Sequence, residues 1–260
     1  MKILITGGNG YIAQRLFGSL SSSYEVVCEP RSRLDVTDGS MLSDYLSRNR
    51  YDVVIHTAIV GGSRLKIDDA VITDTNLLMY YNLLSNRKKI GRLISFGSGA
   101  EMFMPDSPYG ISKKIIAESI RTIDNFYNLR IFSVFDEKEL PTRFIKANII
   151  RYIQNQPMII HQNKIMDFFY MKDLISLVNH YLVAESPQKE IDCCYDQKNT
   201  LAEIAEFINK LGDHRVPIEI EDDSKLTFYC GGTKKLPIEV SGLKRGILET
   251  YNNLKKEHAS

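Results

Sequence analysis

The chain lacks the features that mark metal-bound, membrane-spanning or nucleic-acid-binding proteins. Its four cysteines, at 28, 193, 194 and 230, form no C-x-x-C pair, and no histidine stands near them at zinc-ligand spacing. No apolar run approaches the roughly 18 residues of a membrane helix, and the run in MKILITGG is too short for a secretory signal. The formal net charge of +1 excludes a strong basic excess. We expect a cytoplasmic protein with no metal, nucleic-acid or membrane partner.

A flexible linker is also missing, since no segment rich in Gly, Ser or Pro divides the 260 residues. In the first half, short β-branched runs alternate with longer helical patterns. The strands are predicted at 2–6, 24–28, 51–58, 91–98 and 129–135, and the helices at 11–20, 40–50, 68–85 and 108–127. Asp38 and Ser107 are the predicted N-caps of the helices at 40–50 and 108–127. This alternation predicts an α/β fold, a doubly wound parallel sheet with helices on both faces.

Glycines stand at positions 7, 8 and 10, between the first predicted strand and the first predicted helix. Glycine lets the backbone turn tightly and approach a pyrophosphate, and the helix N-terminus offers free N–H groups to the anion. We therefore predict that Gly7, Gly10, Tyr11 and Ile12 bind a dinucleotide cofactor. The alternative is a purely structural turn between strand and helix.

The end of the second predicted strand bears on which dinucleotide binds. An acidic residue there would hydrogen-bond the ribose 2′-OH of NAD, and an arginine would accommodate the 2′-phosphate of NADP. Glu29 lies nearest the strand end, and Arg31 and Arg33 follow it. Two guanidinium groups beside one carboxylate favour NADP, with NAD as the alternative. We expect Asp35 and Val36 to lie beside the adenine.

The alternation of strands and helices loosens after residue 136. Helices are predicted at 143–155, 171–184 and near 242–255, with short strand patterns between them. We expect residues 1–136 to form the cofactor-binding core. Residues 137–260 would complete the sheet and form a small substrate-binding lobe.

A serine, a tyrosine and a lysine form the candidate catalytic set. Ser98 ends the strand 91–98, whose carboxyl end faces the nicotinamide in such a sheet. Tyr109 lies near the start of a helix, and Lys113 follows one turn later on the same face. A neighbouring ammonium lowers the pKa of a phenol. The three side chains predict a proton relay between C–OH and C=O, coupled to hydride transfer; the alternative is a solvated helix face.

With these motifs, the chain resembles the extended short-chain dehydrogenases/reductases, in the group of nucleotide-sugar epimerases, dehydratases and reductases. TGGNGYIA is similar to T-G-x-x-G-x-x-G, and GSGAE followed by YGISK matches the Ser and Tyr-x-x-x-Lys elements. MDFFYMKDL resembles R-D-F-x-Y-V-x-D-L, with Met166 in place of the arginine. The resemblance covers almost the whole chain and implies a Rossmann fold. It implies cofactor contacts, besides the residues above, from Thr57, Ala58, Asn76, Tyr109 and Lys113.

Within that group, RSRLDVTD and AIVGG are most similar to GDP-fucose synthases, which use NADP. This resemblance implies that Arg31 binds the 2′-phosphate. It places the following residues at the sugar: Val60, Gly61, Gly62, Ser98 and Gly99.

The proton-transfer residues of related enzymes are absent after the serine. The acid/base cysteine of the GDP-fucose synthases is replaced by Ala100. The Asp-Glu pair of the 4,6-dehydratases is replaced by Gly99 and Ala100, neither of which can transfer a proton. Glu101 is one position too late for that pair, and we interpret it as a structural loop carboxylate. Only the Ser-Tyr-Lys set remains.

We therefore predict an NADP(H)-dependent reductase of a nucleotide-activated 4-keto sugar, of the kind used in deoxy-sugar and polysaccharide biosynthesis. Tyr109 would donate the proton, Lys113 would lower its pKa and bind the nicotinamide ribose, and Ser98 would hold the carbonyl oxygen. The alternatives are a C4 epimerase with tightly bound NAD and a regulator that senses the dinucleotide without catalysis.

Two further expectations concern binding partners. Arg143 and Lys146, three residues apart on a predicted helix, are candidates for binding the nucleoside diphosphate of the substrate, although a solvated helix face is the alternative. The resemblance also implies a homodimer through the helices 68–85 and 109–127. Apolar residues such as Leu78, Ile116 and Ile120 would permit such an interface.

Overall fold

The structure is a computed structural model that describes residues 1–62, 68–232 and 235–259. It divides into two compact units, and we call them unit 1 and unit 2. Unit 1 consists of residues 1–130 and 178–191, and unit 2 consists of residues 131–177 and those from 192 onward. We expected a break at 136, with part of the later chain completing the sheet. Residues 178–191 are the later segment that belongs to unit 1.

The regular elements are numbered in chain order. The strands are β1 (Lys2–Thr6), β2 (Glu25–Glu29), β3 (Tyr51–His56), β4 (Ile90–Ser98), β5 (Phe126–Ile131), β6 (Val134–Phe135), β7 (Met158–Ile160), β8 (Lys164–Met166), β9 (Phe169–Tyr170), β10 (Glu190–Cys193), β11 (Ile218–Ile220) and β12 (Thr227–Tyr229). The helices are α1 (Tyr11–Leu20), α2 (Gly39–Arg48), α3 (Ala70–Ser85), α4 (Ala100–Phe103), α5 (Pro108–Arg121), α6 (Phe144–Ile153), α7 (Met171–Val183), α8 (Leu201–Ile208) and α9 (Leu243–Ala259).

Unit 1 is built on a six-stranded sheet whose strand order is β2-β1-β3-β4-β5-β10. The pairs β1–β2, β1–β3 and β3–β4 are parallel, and Thr6 is in register with both Glu29 and His56. The continuous apolar runs of β1 and β3 are buried because helices cover both faces of the sheet. This confirms the α/β, doubly wound prediction. The strand order reverses between β1 and β3, so the loops after these two strands meet at the place where such sheets bind ligands.

Helix starts in unit 1 follow local sequence signals. The Asp38 carboxylate accepts the Met41 N–H at 2.9 Å at the start of α2, and Ser107 Oγ accepts the Gly110 N–H at 3.0 Å at the start of α5. Both predicted N-caps are therefore confirmed. Each cap satisfies a backbone donor that the first turn of the helix leaves without a partner.

The end of α5 was predicted wrongly. The helix ends at Arg121 rather than near residue 127, and β5 begins already at Phe126. The side chain of Asn125 donates to the carbonyls of Ile90 and Gly91 at 2.8 and 3.0 Å, which fixes the turn before β5. Phe126 is then fully buried in the core. Its burial as the first strand residue overrides the helical pattern.

Unit 2 has a hydrophobic core of its own. Side chains from α6, α8 and α9 pack there with Met158 and Ile160 of β7 and Tyr170 of β9. Three two-stranded parallel sheets, β7–β11, β8–β12 and β6–β9, lie in this unit. The start of α8 carries a reciprocal cap between Thr200 and Glu203.

Candidate functional site

The loop after β1 forms a tight turn that leads directly into α1. Gly7 has a φ of 74°, and the Gly10 N–H donates to the Gly7 carbonyl at 2.8 Å. A Cβ on Gly7 would lie 2.7 Å from the Cα of Ala58, so this position tolerates no side chain. Tyr11 and Ile12 follow, half-buried, in the first turn of α1. The loop thus presents backbone at a helix N-terminus, which suits a pyrophosphate.

At the end of β2, the acidic and basic candidates have different partners. The Tyr45 hydroxyl donates to the Glu29 carboxylate at 2.9 Å, and the Tyr51 hydroxyl donates to Tyr45 at 3.1 Å. Arg31 forms an exposed ion pair with Asp35 at 2.9 Å. The Arg33 side chain is exposed and makes no hydrogen bond or ion pair within the described residues. The two arginines are therefore accessible, while the carboxylate of Glu29 is engaged.

The turn after the arginines is shaped by Asp35. Its carboxylate accepts the Thr37 hydroxyl at 2.7 Å and the Thr37 N–H at 3.0 Å. These bonds, the hydroxyl first, together with the Arg31 side chain, lower the pKa of Asp35. The Val36 side chain is 2% exposed and packs in the core of unit 1. The predicted adenine contact of Val36 is therefore not available to its side chain, because the core buries it.

The segment after β3 lies against the loop after β1. Thr57 Oγ1 donates to the Thr6 carbonyl at 2.6 Å, and Ala58 abuts Gly7. His56 Nδ1 lies 2.8 Å from Thr6 Oγ1. Burial first, and then the charge of Lys113, lower the pKa of His56 to about 3, so this ring is neutral near neutral pH.

Asn76, a predicted cofactor ligand, instead holds the neighbouring loop. Its Oδ1 accepts the Val60 N–H at 3.0 Å, and its Nδ2 donates to the Val60 carbonyl at 3.0 Å and to Ser112 Oγ at 3.1 Å. The residue is 1% exposed. Buried amides are normally satisfied in this way. The Asn76 side chain therefore fixes Val60 to α5, and its contact with a cofactor stays a prediction.

The two glycines after Val60 allow the loop to touch the candidate acid. Gly61 and Gly62 have φ values of 80° and 70°. A Cβ on Gly62 would lie 2.8 Å from Cζ of Tyr109, so the backbone of this loop lies directly against the phenol ring. Gly62 is thus brought next to Tyr109, and its contact with a sugar stays a prediction.

Ser98, Tyr109 and Lys113 lie on neighbouring elements of unit 1. Ser98 is the last residue of β4, and its Oγ accepts the Ala100 N–H at 3.1 Å. Tyr109 and Lys113 lie on α5, with the Lys113 ammonium 5.7 Å from the centre of the Tyr109 ring. Lys113 Nζ also donates to the Phe96 carbonyl at 2.5 Å. Burial lowers the pKa of Lys113 to about 8, although the charge of Glu101 opposes this shift.

The residues after Ser98 offer no second proton-transfer group. Gly99 and Ala100 have no ionisable side chain, and Ala100 is 2% exposed. Both carboxylate oxygens of Glu101 are engaged: Oε1 accepts the Ser98 N–H at 2.8 Å, and Oε2 pairs with Arg130 Nε at 2.7 Å. Glu101 is therefore a structural carboxylate. Its arginine partner could not be identified from the sequence.

The two cations predicted to bind a diphosphate lie in unit 2 in different states. Arg143 is the exposed residue that precedes α6. Lys146 Nζ donates to the carbonyls of Glu137 and Glu139 at 2.7 and 2.9 Å. The Lys146 ammonium is thus committed to the chain itself. For Arg143 the diphosphate contact stays a prediction.

Unit 2 also contains a cavity of about 450 Å³ that the sequence analysis missed. Its lining includes Tyr195, Lys235, Leu243 and Lys244. Six of the thirteen lining residues lie in the segment 235–242 before α9, where Lys235 stands among apolar residues. Within the described ranges, no helix is long and apolar enough to cross a membrane, and no group of three or more His, Cys, Asp or Glu could hold a metal ion.

Comparison with known proteins gives consistent matches. Residues 3–193 match the model of the family described as "NAD dependent epimerase/dehydratase family". A Methanocaldococcus jannaschii protein named "Putative UDP-glucose 4-epimerase" is 26% identical over 215 residues, which are 66% of this chain and 70% of that protein. The GDP-L-fucose synthase of Azorhizobium caulinodans is 31% identical over 102 residues, which are 37% of this chain and 33% of that protein.

A solved structure extends the similarity to the whole chain at the level of fold. The GDP-mannoheptose C4 reductase of Campylobacter jejuni, solved with NADP bound, superposes with a TM-score of 0.77 at 16% identity. The superposition covers 98% of this chain and 98% of that one.

Proposed function

The chain belongs to the NAD-dependent epimerase/dehydratase family, and from this premise we propose that it is an NADP(H)-dependent reductase of a nucleotide-activated 4-keto sugar. The proposal rests on one observation above all. Among the described residues, the stretch that follows Ser98 adds no group able to exchange a proton with carbon, because both oxygens of Glu101 are engaged. Such a set suffices for hydride transfer at one carbon and its oxygen.

The residues of unit 1 fit a dinucleotide. Gly7 tolerates no side chain in the turn before α1, so a pyrophosphate can approach the backbone at the N-terminus of this helix. Arg31 and Arg33 are exposed at the end of β2 and can meet a 2′-phosphate, while Tyr45 holds the Glu29 carboxylate. Relatives of this fold bind NADP or NAD. The reduced nicotinamide, when bound, supplies the hydride.

Each side chain of the set has a distinct task. The Tyr109 hydroxyl donates its proton to the carbonyl oxygen at C4. Ser98 Oγ donates a hydrogen bond to that oxygen and orients it. The Lys113 ammonium, 5.7 Å from the ring centre, stabilises the phenolate that remains on Tyr109. Gly62 keeps one face of the Tyr109 ring in contact with protein.

The decisive assay follows NADPH oxidation with GDP-, dTDP-, CDP- and UDP-linked 4-keto-6-deoxy sugars. We expect turnover with at least one of them, and a loss of about 10²- to 10⁴-fold in kcat for Tyr109→Phe, the contribution typical of a general acid. NADPH binding, followed by nicotinamide fluorescence, should survive that substitution. Absence of oxidation with every sugar would contradict the reductase for those substrates.

A C4 epimerase is the second candidate, because a curated relative carries an epimerase name. An epimerase removes and returns one hydride with the same side chains. It predicts NAD that copurifies with the protein and conversion of a UDP-sugar with no net consumption of NADPH. A dinucleotide sensor, in contrast, would keep its function in Tyr109→Phe.

The substrate's nucleotide is assigned to unit 2 as part of the same proposal. Arg143 is exposed there, and the cavity near Tyr195 carries Lys235 and Lys244 on its lining. Either cation source can neutralise a diphosphate. Arg143→Ala and Lys244→Ala distinguish these two cation sources. The variant that removes the diphosphate contact should raise KM for the active sugar.

A homodimer through α3 and α5 remains a proposal with a revised set of residues. Ile116 and Ile120 lie in the core of unit 1 and cannot form an interface. Apolar side chains exposed on the two helices are the candidates, namely Val71, Leu78, Tyr81 and Ile115. Light scattering of the purified protein tests the dimer, and Leu78→Lys should dissociate it.

A further inference from the structure

Glu101 connects the candidate catalytic set to a chain of buried charges. Its side chain is 4% exposed, at the start of α4 and three residues after Ser98. Oε1 accepts the Ser98 backbone N–H at 2.8 Å. The carboxylate therefore fixes the backbone that carries the Ser98 hydroxyl.

The end of β4 is built to admit this carboxylate. Gly97 lies directly above it, and a Cβ there would overlap Glu101 Oε1 and would come within 2.6 Å of the Asn128 amide oxygen. Only glycine leaves room for the charged group at this depth. The approach is therefore a specific feature of this strand end.

Arg130, on β5, holds the other side of Glu101. Its guanidinium is 11% exposed and pairs through Nε with Glu101 at 2.7 Å and through Nη2 with Glu190 at 3.0 Å. Glu190 in turn pairs with Arg121 at 2.6 Å. Charges alternate along this row, so the arginine compensates the buried carboxylate of Glu101.

Lys113 is the cation of the catalytic set that depends on a nearby negative charge. The groups that face its ammonium are the Phe96 carbonyl on β4, the neutral His56 on β3 and the ring of Tyr109 on α5. Glu101 and Lys113 bind the same end of β4, because Lys113 Nζ donates to the Phe96 carbonyl and Glu101 Oε1 accepts the N–H of Ser98, two residues later. Burial lowers the pKa of Lys113, and Glu101 raises it again.

We propose that Glu101 is a positioning residue of this site: it fixes Ser98 through the backbone and keeps the Lys113 ammonium charged beside Tyr109. This inference rests on the proposed function, since it assigns Tyr109 the role of the acid. It gives the carboxylate after the serine a task other than proton transfer to substrate. Glu101 acts through Ser98 and Lys113 and does not touch the reacting atoms.

The test is Glu101→Gln, which keeps the size of the side chain and an acceptor for the Ser98 N–H but removes the charge. Without that charge, Lys113 loses its proton at lower pH. The basic limb of the kcat–pH profile should therefore move down by about one pH unit. At pH 6 most of the turnover should remain, because Lys113 is still protonated there.

A substrate-free measurement separates this inference from the proposed function. With ¹³Cζ-labelled tyrosine, the Tyr109 signal is assigned by its absence in Tyr109→Phe. Its titration should move to higher pH in Glu101→Gln. This result is obtained whether or not any sugar is reduced, so a failure of the reductase assay leaves it decisive.

Glu118→Gln is the matched control. Glu118 ends the same row of charges, paired with Arg121 at 2.7 Å, but its side chain is 58% exposed. Glu118→Gln should change neither the kcat–pH profile nor the titration of Tyr109. If Glu101→Gln unfolds because Arg130 loses its partner, the double variant Glu101→Gln/Arg130→Met removes both charges and should show a smaller pH shift in the same direction, because Arg130 lies on the other side of Glu101 from Ser98. A uniform loss of kcat at all pH values, or an unchanged Tyr109 titration, would overturn the proposal.

Discussion

Two buried glutamates, one in each unit, differ in the partner that the fold provides. Glu101 in unit 1 pairs with the guanidinium of Arg130 at 2.7 Å. Glu139 in unit 2 is 3% exposed, and its Oε1 accepts a backbone bond from the Lys146 N–H at 3.2 Å, with no ion pair to another described residue. Burial raises the pKa of Glu139 to about 8; the Lys146 N–H and the charges of Arg143 and Lys146 only partly oppose this.

The difference shows that burial alone does not decide what a carboxylate does. An arginine in contact keeps a buried carboxylate ionised. The charged carboxylate of Glu101 can then act on Ser98 and Lys113. Without such a contact, the same side chain takes up a proton instead. The same substitution, Glu to Gln, should therefore act in opposite directions at the two positions.

The largest effect is expected when the arginine of the first site is removed. Arg130→Met leaves the buried Glu101 carboxylate without its cation and should lower the free energy of unfolding by about 3–5 kcal/mol. Urea unfolding at pH 7, followed by circular dichroism, measures this. Arg121→Met is the control, because Arg121 is 46% exposed and its ion pairs should contribute under about 1 kcal/mol. Equal losses of unfolding free energy in Arg130→Met and Arg121→Met would contradict the difference between a buried and an exposed arginine.

At Glu139, the substitution to Gln should change the free energy of unfolding in the opposite direction. The folded-state pKa of Glu139, about 8, lies above its ordinary value of 4.5, so the folded protein retains a proton that the unfolded chain releases. Stability from this group is fully present below pH 4.5 and is lost as the pH rises towards 8. Glu139→Gln should therefore raise the free energy of unfolding, by about 2–3 kcal/mol at pH 7.

Urea titrations of wild type and Glu139→Gln at pH 5, 6, 7 and 8 test the sign. The gap between the two proteins should widen with pH. A constant gap, or a destabilised variant, would mean that Glu139 is charged in the folded state. Glu101→Gln in the same series should be less stable than wild type.

The smallest effect is expected where a carboxylate has a cation but no burial. Glu257 on α9 pairs with Lys138, and the two side chains are 48% and 54% exposed. Solvent screens such a pair, so Glu257→Gln should change the free energy of unfolding by about 0.5 kcal/mol or less. The difference in unfolding free energy between Glu257→Gln and wild type should shrink further in 0.5 M salt. A loss larger than about 0.5 kcal/mol would show that exposure does not determine the strength of the ion pair.

Local signals predicted much of unit 1. The continuous apolar runs predicted the sheet, and Asp38 and Ser107 predicted two helix starts. The glycines at 7 and 10 predicted the turn after β1, where the strand order reverses. Each of these depends on a few neighbouring residues, so it can be read along the chain. The proposed catalytic roles of Tyr109 and Lys113 were also local, because their spacing is one helical turn.

Partners distant in sequence could not be predicted. Glu101 meets Arg130, 29 residues away, and the Tyr45 hydroxyl meets Glu29 across 16 residues. Asn76 was assigned to the cofactor by resemblance, whereas its three bonds to Val60 and Ser112 depend on tertiary packing. The early end of α5 has the same origin, since the burial of Phe126 decides it.

The return of residues 178–191 to unit 1 has a consequence for synthesis. While the ribosome makes the chain, β5 (126–131) emerges about 60 residues before β10, which pairs with it at the edge of the sheet. During that interval β5 is an open edge that can pair with other chains. The nascent protein should therefore remain prone to aggregation at this edge until residue 193 leaves the ribosome.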